Sequence, residues 1–213
     1  MENPPHESGK NPRPTSSNGH WNEIDPIGGP TFKFGKGFAF DAFWSAFKSQ
    51  TDSYDTSNNL SLKLSYADSF IEGFSINPFV EFWYEISDKA TVVFDFSKSG
   101  ESYYFALGIN PTYKFKSIPI TVQLPTSINL AGKDFYQKFD GSPGGSGFAV
   151  FSTQLKVSTP LTFMPKGYGN WTAYTSFQYY HLDYEGLLNG NEALGSGTSR
   201  NLYQFHGGVS VFF

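Results

Sequence analysis

The chain of 213 residues contains no cysteine, which excludes disulfide bonds and thiolate metal ligands. Charged residues make up only 16% of it, whereas a typical soluble domain carries about 25%. No run approaches the ~18 consecutive apolar residues of a transmembrane helix, so a helical membrane protein is excluded. The net charge is −4 and the 15 lysines and arginines are scattered, so we expect no nucleic-acid partner.

The first part of the chain is polar. Residues 1–29 are rich in Pro, Asn and Ser, and no basic stretch followed by an apolar core marks a signal peptide. We interpret this part as a flexible N-terminal segment or an external loop, and residues 30–213 as one β domain. Because the localisation argued below requires export, we expect that a leader has been removed or that the chain is a fragment of a longer reading frame.

Aromatic residues are abundant, at 19% of the chain, and within several segments they belong to an alternation of apolar and polar residues. At the C-terminus Tyr203, Phe205, Val209, Val211 and Phe213 share one strand face, with mostly small or polar residues between them. The same period of two returns along the chain, which indicates β-strands with one apolar face. Together with a mean hydropathy of −0.36, this pattern is typical of strands with one face toward lipid and the other toward a wet lumen.

The alternation predicts eight strands and the order of their connections. The strands are at residues 37–48, 58–67, 73–85, 102–115, 118–130, 147–161, 170–182 and 200–213, with a short ninth candidate at 30–34. The connections alternate between long and short, as in outer-membrane barrels with long external loops and short periplasmic turns. Residues 91–96 are interpreted as an extension of an external hairpin. An even strand number is expected: eight strands close as they stand, and nine imply one more upstream of Met1.

Three segments resemble a known family. The stretch P-L-T-F-M-P-K-G-Y-G-N-W-T-A-Y-T-S-F-Q-Y-Y-H-L at 160–182, the stretch S-Y-Y-F-A-L-G-I-N-P-T-Y at 102–113 and the terminal G-G-V-S-V-F-F are similar to segments of the TorF family of bacterial porins. The likeness covers residues 30–213. It implies an all-β, antiparallel, up-and-down transmembrane β-barrel of 8–10 strands in the bacterial outer membrane. Family members begin with a leader and a further strand, so the first strand is expected to be missing from this sequence.

The alternation also predicts which residues carry the function. The polar residues expected to line the lumen and to select ions by charge are Lys63, Glu81, Glu85, Lys114, Gln123, Gln154, Lys156, Gln178 and His206. The aromatic residues expected at the membrane interfaces are Tyr84, Tyr113, Phe115, Trp171, Tyr179, Tyr203 and Phe213. Bulky residues predicted on the lumen side narrow the opening to ions or small solutes; they are Phe79, Trp83, Tyr104, Tyr174 and Tyr180.

No residue pattern predicts catalysis, a metal or a cofactor. His206 and Ser210 share a strand face but are about 13 Å apart at ~3.3 Å per residue, too far for a hydrogen-bonded pair. His181, Asp183 and Glu185 form the best metal candidate, but a solvated loop is the more common setting for such residues. We therefore predict that the protein is not an enzyme.

Three functions remain open from the sequence. The first is a porin-like passive channel for ions or small hydrophilic solutes. The second is a non-conducting outer-membrane barrel with a structural or surface-binding role. The third is a soluble, lipocalin-like ligand-binding barrel with its apolar residues inside. The first two predict outer-membrane lipid as a partner, together with the machinery that assembles outer-membrane barrels, reached through the C-terminal strand ending at Phe213.

Overall fold

A computed structural model describes residues 23–49, 56–69, 71–86, 102–133, 135, 136, 138, 142, 144–165, 167, 169–193 and 197–212. Within these residues the chain forms fourteen β-strands and one α-helix. They are β1 (Glu23–Ile24), β2 (Ile27–Gly28), β3 (Thr31–Phe34), β4 (Phe38–Ser49), β5 (Ser57–Tyr66), β6 (Phe74–Ser75), β7 (Phe79–Glu85), β8 (Tyr103–Ile109), β9 (Thr112–Lys114), β10 (Thr121–Gln123), β11 (Thr126–Ala131), β12 (Gly147–Pro160), β13 (Asn170–Leu182), α1 (Glu185–Ala193) and β14 (Asn201–Phe212). The hairpin extension predicted at 91–96 and the terminal Phe213 lie outside the described residues.

The strands form one antiparallel sheet. Short strands that follow one another act as one interrupted strand: β1 to β3, β6 with β7, β8 with β9, and β10 with β11. Counted in this way, nine strands make an antiparallel meander from β1 to β14. The prediction of an all-β, antiparallel fold is confirmed.

Three strands that were predicted to be continuous are interrupted at neighbouring places. The interruptions fall at Asn77, which has a φ of 50°, at Pro111 and at Pro125. A proline has no N–H to donate to a sheet, and a positive φ departs from a strand conformation. The neighbouring strand still donates to the proline carbonyls, from Leu124 N to Pro111 O (2.8 Å) and from Gln154 N to Pro125 O (2.9 Å).

Within the described residues the first strand starts at Glu23, ahead of the domain boundary predicted at residue 30. Pro26 and Pro30 interrupt the alternation of apolar and polar residues here, so the sequence pattern does not predict this strand. Their carbonyls nevertheless accept hydrogen bonds from β4, from Ala46 N to Pro26 O (3.0 Å) and from Ala42 N to Pro30 O (3.1 Å). Prolines are tolerated here because a strand at the edge of a sheet pairs on one side only.

The sheet is open between its first and last strands. Within the described residues β14 pairs with β13 alone, and β1, β2 and β3 pair with β4 alone. Nine strands that alternate in direction leave the first and the last strand parallel to each other. An antiparallel closure therefore needs an odd number of additional strands.

The connections divide the molecule into two ends. The long-loop end carries connections 50–56, 86–102, 132–146 and 183–200, which include the three longest, and the short-turn end carries 35–37, 67–73, 115–120 and 161–169. The last long connection contains α1, which was predicted as loop. Glycine and asparagine give this segment a low helix propensity, but Leu187 is buried and packing of such a residue stabilises a short helix. No helix among the described residues is long and apolar enough to cross a membrane.

Candidate functional site: the polar face of the sheet

Strand register divides the side chains into two faces, because successive residues of a strand point to opposite sides. In the middle of β12, β13 and β14, Leu155, Phe177 and Phe205 lie side by side. In β4, β5 and β7 the same face carries the neighbours Phe40, Leu64 and Val80. This face, called the outer face, is exposed: Leu155 is 49% accessible and Phe205 is 77% accessible. A continuous apolar surface of this kind marks contact with a membrane or another protein.

The opposite face, called the polar face, is the buried one. Ser45, Asn59, Ser61 and Ser176 are at most 6% accessible, and Asn59 is fully buried. In soluble proteins apolar side chains fill the interior and polar ones cover the surface. The sheet therefore has the reverse of the distribution that water favours.

All nine residues predicted to line a lumen lie on the polar face. Three pairs lie directly opposite each other on neighbouring strands: Lys63 with Glu81, Gln123 with Lys156, and Gln154 with Gln178. The other three are Glu85, which lies on β7 with Glu81, His206, which lies opposite Ser176, and Lys114, which lies opposite Thr121. Their exposure differs: Glu85 is fully buried, whereas Lys114 and His206 are exposed.

A ladder of alternating charge crosses this face. Asp41, Lys63 and Glu81 lie directly opposite one another on β4, β5 and β7, and opposite charges at such positions attract. Hydroxyl groups support both carboxylates: Thr31 Oγ1 donates to Asp41 Oδ1 (2.6 Å), and Ser61 Oγ donates to Glu81 Oε1 (2.5 Å). The sequence indicated Lys63 and Glu81 but not Asp41, because only the register brings Asp41 opposite Lys63.

The Lys63 ammonium is held by an aromatic ring. Its Nζ lies 4.4 Å from the centroid of the Phe79 ring, a favourable cation–π position. The ring occupies space left by a glycine, since a Cβ on Gly108 would lie 2.4 Å from Phe79 Cζ and 2.8 Å from Thr126 O. The absence of a side chain at Gly108 thus allows this arrangement.

The Gly108→Ala variant is expected to lose about 1–3 kcal/mol of folding free energy, because the added methyl group overpacks a filled site. The measurement is the midpoint of denaturant unfolding in detergent micelles. Gly207→Ala is the matched control, since the nearest atom to its added Cβ is 3.8 Å away. Equal stability of the two variants would contradict the assigned role of Gly108.

A second hydrogen-bonded group lies on β12 and β13. Gln154 Nε2 donates to Ser176 Oγ (3.0 Å) and to Gln178 Oε1 (3.3 Å). Next to them, Lys156 Nζ lies 4.7 Å from the centroid of the Tyr174 ring. The two lysines therefore share one arrangement, an ammonium over an aromatic ring on the polar face.

Three of the five large aromatic residues predicted on this face, Trp83, Tyr104 and Tyr180, lie at the long-loop end, whereas Phe79 and Tyr174 lie toward the short-turn end. Trp83 Nε1 donates to Asn59 Oδ1 (3.0 Å), and the rings of Trp83 and Tyr104 stack with centroids 5.8 Å apart. Phe135 packs edge-on against Tyr104, at 4.8 Å between centroids. These rings fill the space between the strands at that end.

A cap covers the polar face at the long-loop end. The cap consists of the described residues of connections 132–146 and 183–200, including α1. Its core is formed by Phe135, Tyr184 and Leu187, which are 1%, 2% and 9% accessible. These residues pack against the ends of the strands, at Ala131, Ala149, Val150, Leu182, Trp83, Tyr104, Tyr180 and Leu202. The cap was not predicted from the sequence pattern.

Hydrogen bonds join the two halves of the cap. The Tyr184 hydroxyl lies within hydrogen-bond distance of two carbonyl oxygens, those of Gly132 (2.6 Å) and Gly145, which share its single proton. The Gly186 N–H donates to Gly144 O (3.0 Å). Position 144 admits only glycine, because a Cβ there would lie 1.7 Å from Tyr136 O. The two connections are therefore docked on each other as one unit.

Two titratable groups of the cap have shifted pKa values. A hydrogen bond and the positive charge of Lys138, whose Nζ lies 2.7 Å from Glu185 Oε2, lower the pKa of Glu185. Burial raises the pKa of Tyr136 to about 12. The rise follows from burial, which disfavours the charged phenolate.

The predicted interface aromatics lie on the outer face near the two ends of the strands. Tyr84, Tyr179 and Tyr203 lie toward the long-loop end, and the Tyr179 and Tyr203 rings are 5.4 Å apart. Tyr113 and Trp171 lie toward the short-turn end, with Phe115 edge-on against Tyr113 at 4.8 Å. From Trp171 to Tyr179, β13 extends about 26 Å at ~3.3 Å per residue.

The three residues considered for a metal site each interact with a different side chain. His181 Nδ1 hydrogen-bonds Asn201 Oδ1 (3.0 Å), Asp183 pairs with Arg200, and Glu185 pairs with Lys138. In the described part of the chain no group of three or more His, Cys, Asp or Glu side chains could hold a metal ion. His206 and Ser210 project from the same strand, β14, four positions apart.

Comparisons with known proteins give no functional assignment. No protein-family model, curated protein or solved structure matches the chain. The two faces of the sheet and the cap are the features that bear on function.

Proposed function

We propose that the chain forms the wall of a β-barrel in the bacterial outer membrane and acts as a narrow, porin-like passive channel for ions or small hydrophilic solutes. The observation that carries the proposal is the reversed sidedness of the sheet. The apolar face is exposed and the face with Asn59, Ser61 and Glu85 is buried. A wall between hydrocarbon and a polar lumen requires this distribution.

The dimensions of the outer face support a bilayer as its surroundings. Its aromatic rows at Trp171 and Tyr179 are about 26 Å apart along the strand, which becomes roughly 20 Å of membrane depth for strands tilted by 35–45°. Outer-membrane barrels have an apolar band about 25 Å tall between aromatic girdles. Lipid of the outer membrane is therefore the proposed partner of this face.

The proposed barrel has ten strands, one more than the described meander. An up-and-down bacterial barrel has an even number of strands, so that every neighbour is antiparallel. Nine strands leave β14 parallel to the first strand, and a tenth strand between them restores the alternation. The resemblance to the TorF family implies a further strand as well. In this proposal the strand that ends with Phe213 is the one that the assembly machinery recognises.

The ladder of Asp41, Lys63 and Glu81 supplies the proposed ion selection. Fixed charges that line a narrow pore favour ions of the opposite sign. The glutamine pair Gln154 and Gln178 adds neutral donors and acceptors for water or a hydroxylated solute. Selection in this proposal is electrostatic and involves no chemical step.

Conductance across a planar bilayer tests the channel. Refolded protein is expected to produce discrete channel events. Glu81→Gln is expected to shift the anion-to-cation permeability ratio severalfold toward anions, and Lys63→Gln is expected to shift it toward cations, because each variant removes one charge of known sign. No channel events from a correctly folded sample would contradict the channel function.

The cap favours a second candidate, a non-conducting barrel with a structural or surface-binding role. Phe135 and Tyr184 fill the long-loop end of the polar face. Side chains can fill the interior of a small barrel, one of about eight strands. In this case the docked external connections present a fixed surface to a partner. The soluble, lipocalin-like alternative gains no support, since it requires the apolar face inside and that face is exposed.

A further inference from the structure

A groove opens on the outer face at the long-loop end. It lies where β8 begins, β11 ends and β12 begins, and it has a volume of about 610 Å³, within the usual range of ligand sites. Its lower wall consists of Tyr103, Phe105 and Leu130, which are 44%, 41% and 37% accessible. These three apolar side chains belong to the exposed face of the sheet.

Two glycines line the groove. Gly147, paired with Ala131 at the start of β12, has a φ of 100°, and no atom lies within 4 Å of the position a Cβ would take. Gly132, at the end of β11, also lines the groove. A Cβ on Gly132 would lie 3.4 Å from Tyr103 Cε1 and 3.4 Å from Ser102 Oγ, so this glycine leaves the groove open beside the Tyr103 ring.

The upper wall of the groove is polar and carries positive charge. The Lys133 side chain is exposed and forms no ion pair within the described residues. Ser102 is only 4% accessible, lines the groove, and its hydroxyl has no hydrogen-bond partner in the described part of the chain. None of the described residues that line the groove is acidic. The site thus offers an ammonium group and a hydroxyl above an apolar wall.

We propose that this groove binds a membrane lipid with a phosphate-bearing, anionic head group. The proposal rests on the proposed function, because it requires the outer face to be in a bilayer. An acyl chain packs along Phe105 and Leu130, and the phosphate oxygens accept hydrogen bonds from Lys133 Nζ and the Ser102 hydroxyl. The depth is suitable, since the groove adjoins the aromatic row near Tyr84, where lipid head groups lie.

Lipid retention after refolding tests the proposal. The protein is refolded into phosphatidylcholine vesicles with and without phosphatidylglycerol, extracted into mild detergent, and examined by native mass spectrometry for bound lipid. Preferential retention of one phosphatidylglycerol is expected. Lys133→Gln is expected to reduce it about fivefold, the loss from removing one lysine contact with an anionic membrane lipid. Lys133→Arg is expected to preserve it, and Lys36→Gln, which removes an exposed lysine at the short-turn end, is expected to change nothing.

The possible results distinguish failure of the lipid site from failure of the proposed barrel. Protein that inserts but retains both lipids equally, or responds to Lys36→Gln as much as to Lys133→Gln, would overturn the lipid site and leave the proposed barrel standing. Displacement of the lipid by inorganic phosphate alone would assign the groove to free phosphate and overturn the lipid. Failure to insert into either kind of vesicle would overturn the barrel and the site together.

Discussion

Leu155→Arg is expected to lower the free energy of unfolding in a bilayer by about 2–4 kcal/mol, the cost of a charged residue on the lipid face of a membrane barrel near the midplane. Leu155 is 49% accessible and lies beside Phe177 in the middle of the outer face. In the proposed barrel its new charge would face hydrocarbon. The measurement is denaturant unfolding of the vesicle-inserted protein, followed by tryptophan fluorescence.

The neighbouring residue provides the matched control. Gln154 projects to the polar face, so Gln154→Arg introduces the same charge next to water and polar groups. Its cost is limited to the hydrogen bonds to Ser176 and Gln178, each worth about 1 kcal/mol. A greater loss for Gln154→Arg than for Leu155→Arg would contradict the assigned sidedness.

Phe135→Ala is expected to destabilise the cap by about 3–5 kcal/mol, the usual cost of removing a buried phenylalanine ring. Phe135 is 1% accessible and contacts both Tyr104 of the sheet and Tyr136 of the cap. If the cap closes the long-loop end, the variant conducts more than the wild type. The readouts are single-channel conductance and the rate of protease cleavage in connection 132–146.

Phe163→Ala is the control for this prediction. Phe163 is 77% accessible at the short-turn end, so the same substitution removes a ring that supports no cap. It is expected to leave conductance and the cleavage of connection 132–146 unchanged. Wild-type conductance and cleavage in Phe135→Ala would show that the cap does not obstruct the polar face.

The strands could be predicted from the sequence because a sheet with one apolar and one polar face makes apolar and polar residues alternate along each strand. Predictions at 58–67 and 170–182 correspond to β5 (Ser57–Tyr66) and β13 (Asn170–Leu182) within one residue at each end. Prolines and a positive φ locally break this period. The edge strands β1 and β2 and the interruption at Pro125 were missed for that reason.

The candidate site could be predicted only in part. The period of two along each strand assigned Lys63 and Glu81 to the polar face. That Lys63 lies directly opposite both Asp41 and Glu81, however, depends on the register between the strands. Register is set by turns whose geometry an alternating pattern does not specify. The cap was missed because its core residues, such as Tyr184, are held by contacts between segments far apart in sequence.

The central claim is that lipid faces the apolar side of the sheet and water faces the polar side. The absence of cysteine allows single cysteines, carrying a fluorescent label, to be placed along β13 at each position from 174 to 179 in vesicle-inserted protein. We predict that a lipid-dissolved quencher acts at Thr175, Phe177 and Tyr179, and a water-soluble quencher at Tyr174, Ser176 and Gln178. Quenching without alternation, or alternation in the opposite phase, would contradict the account.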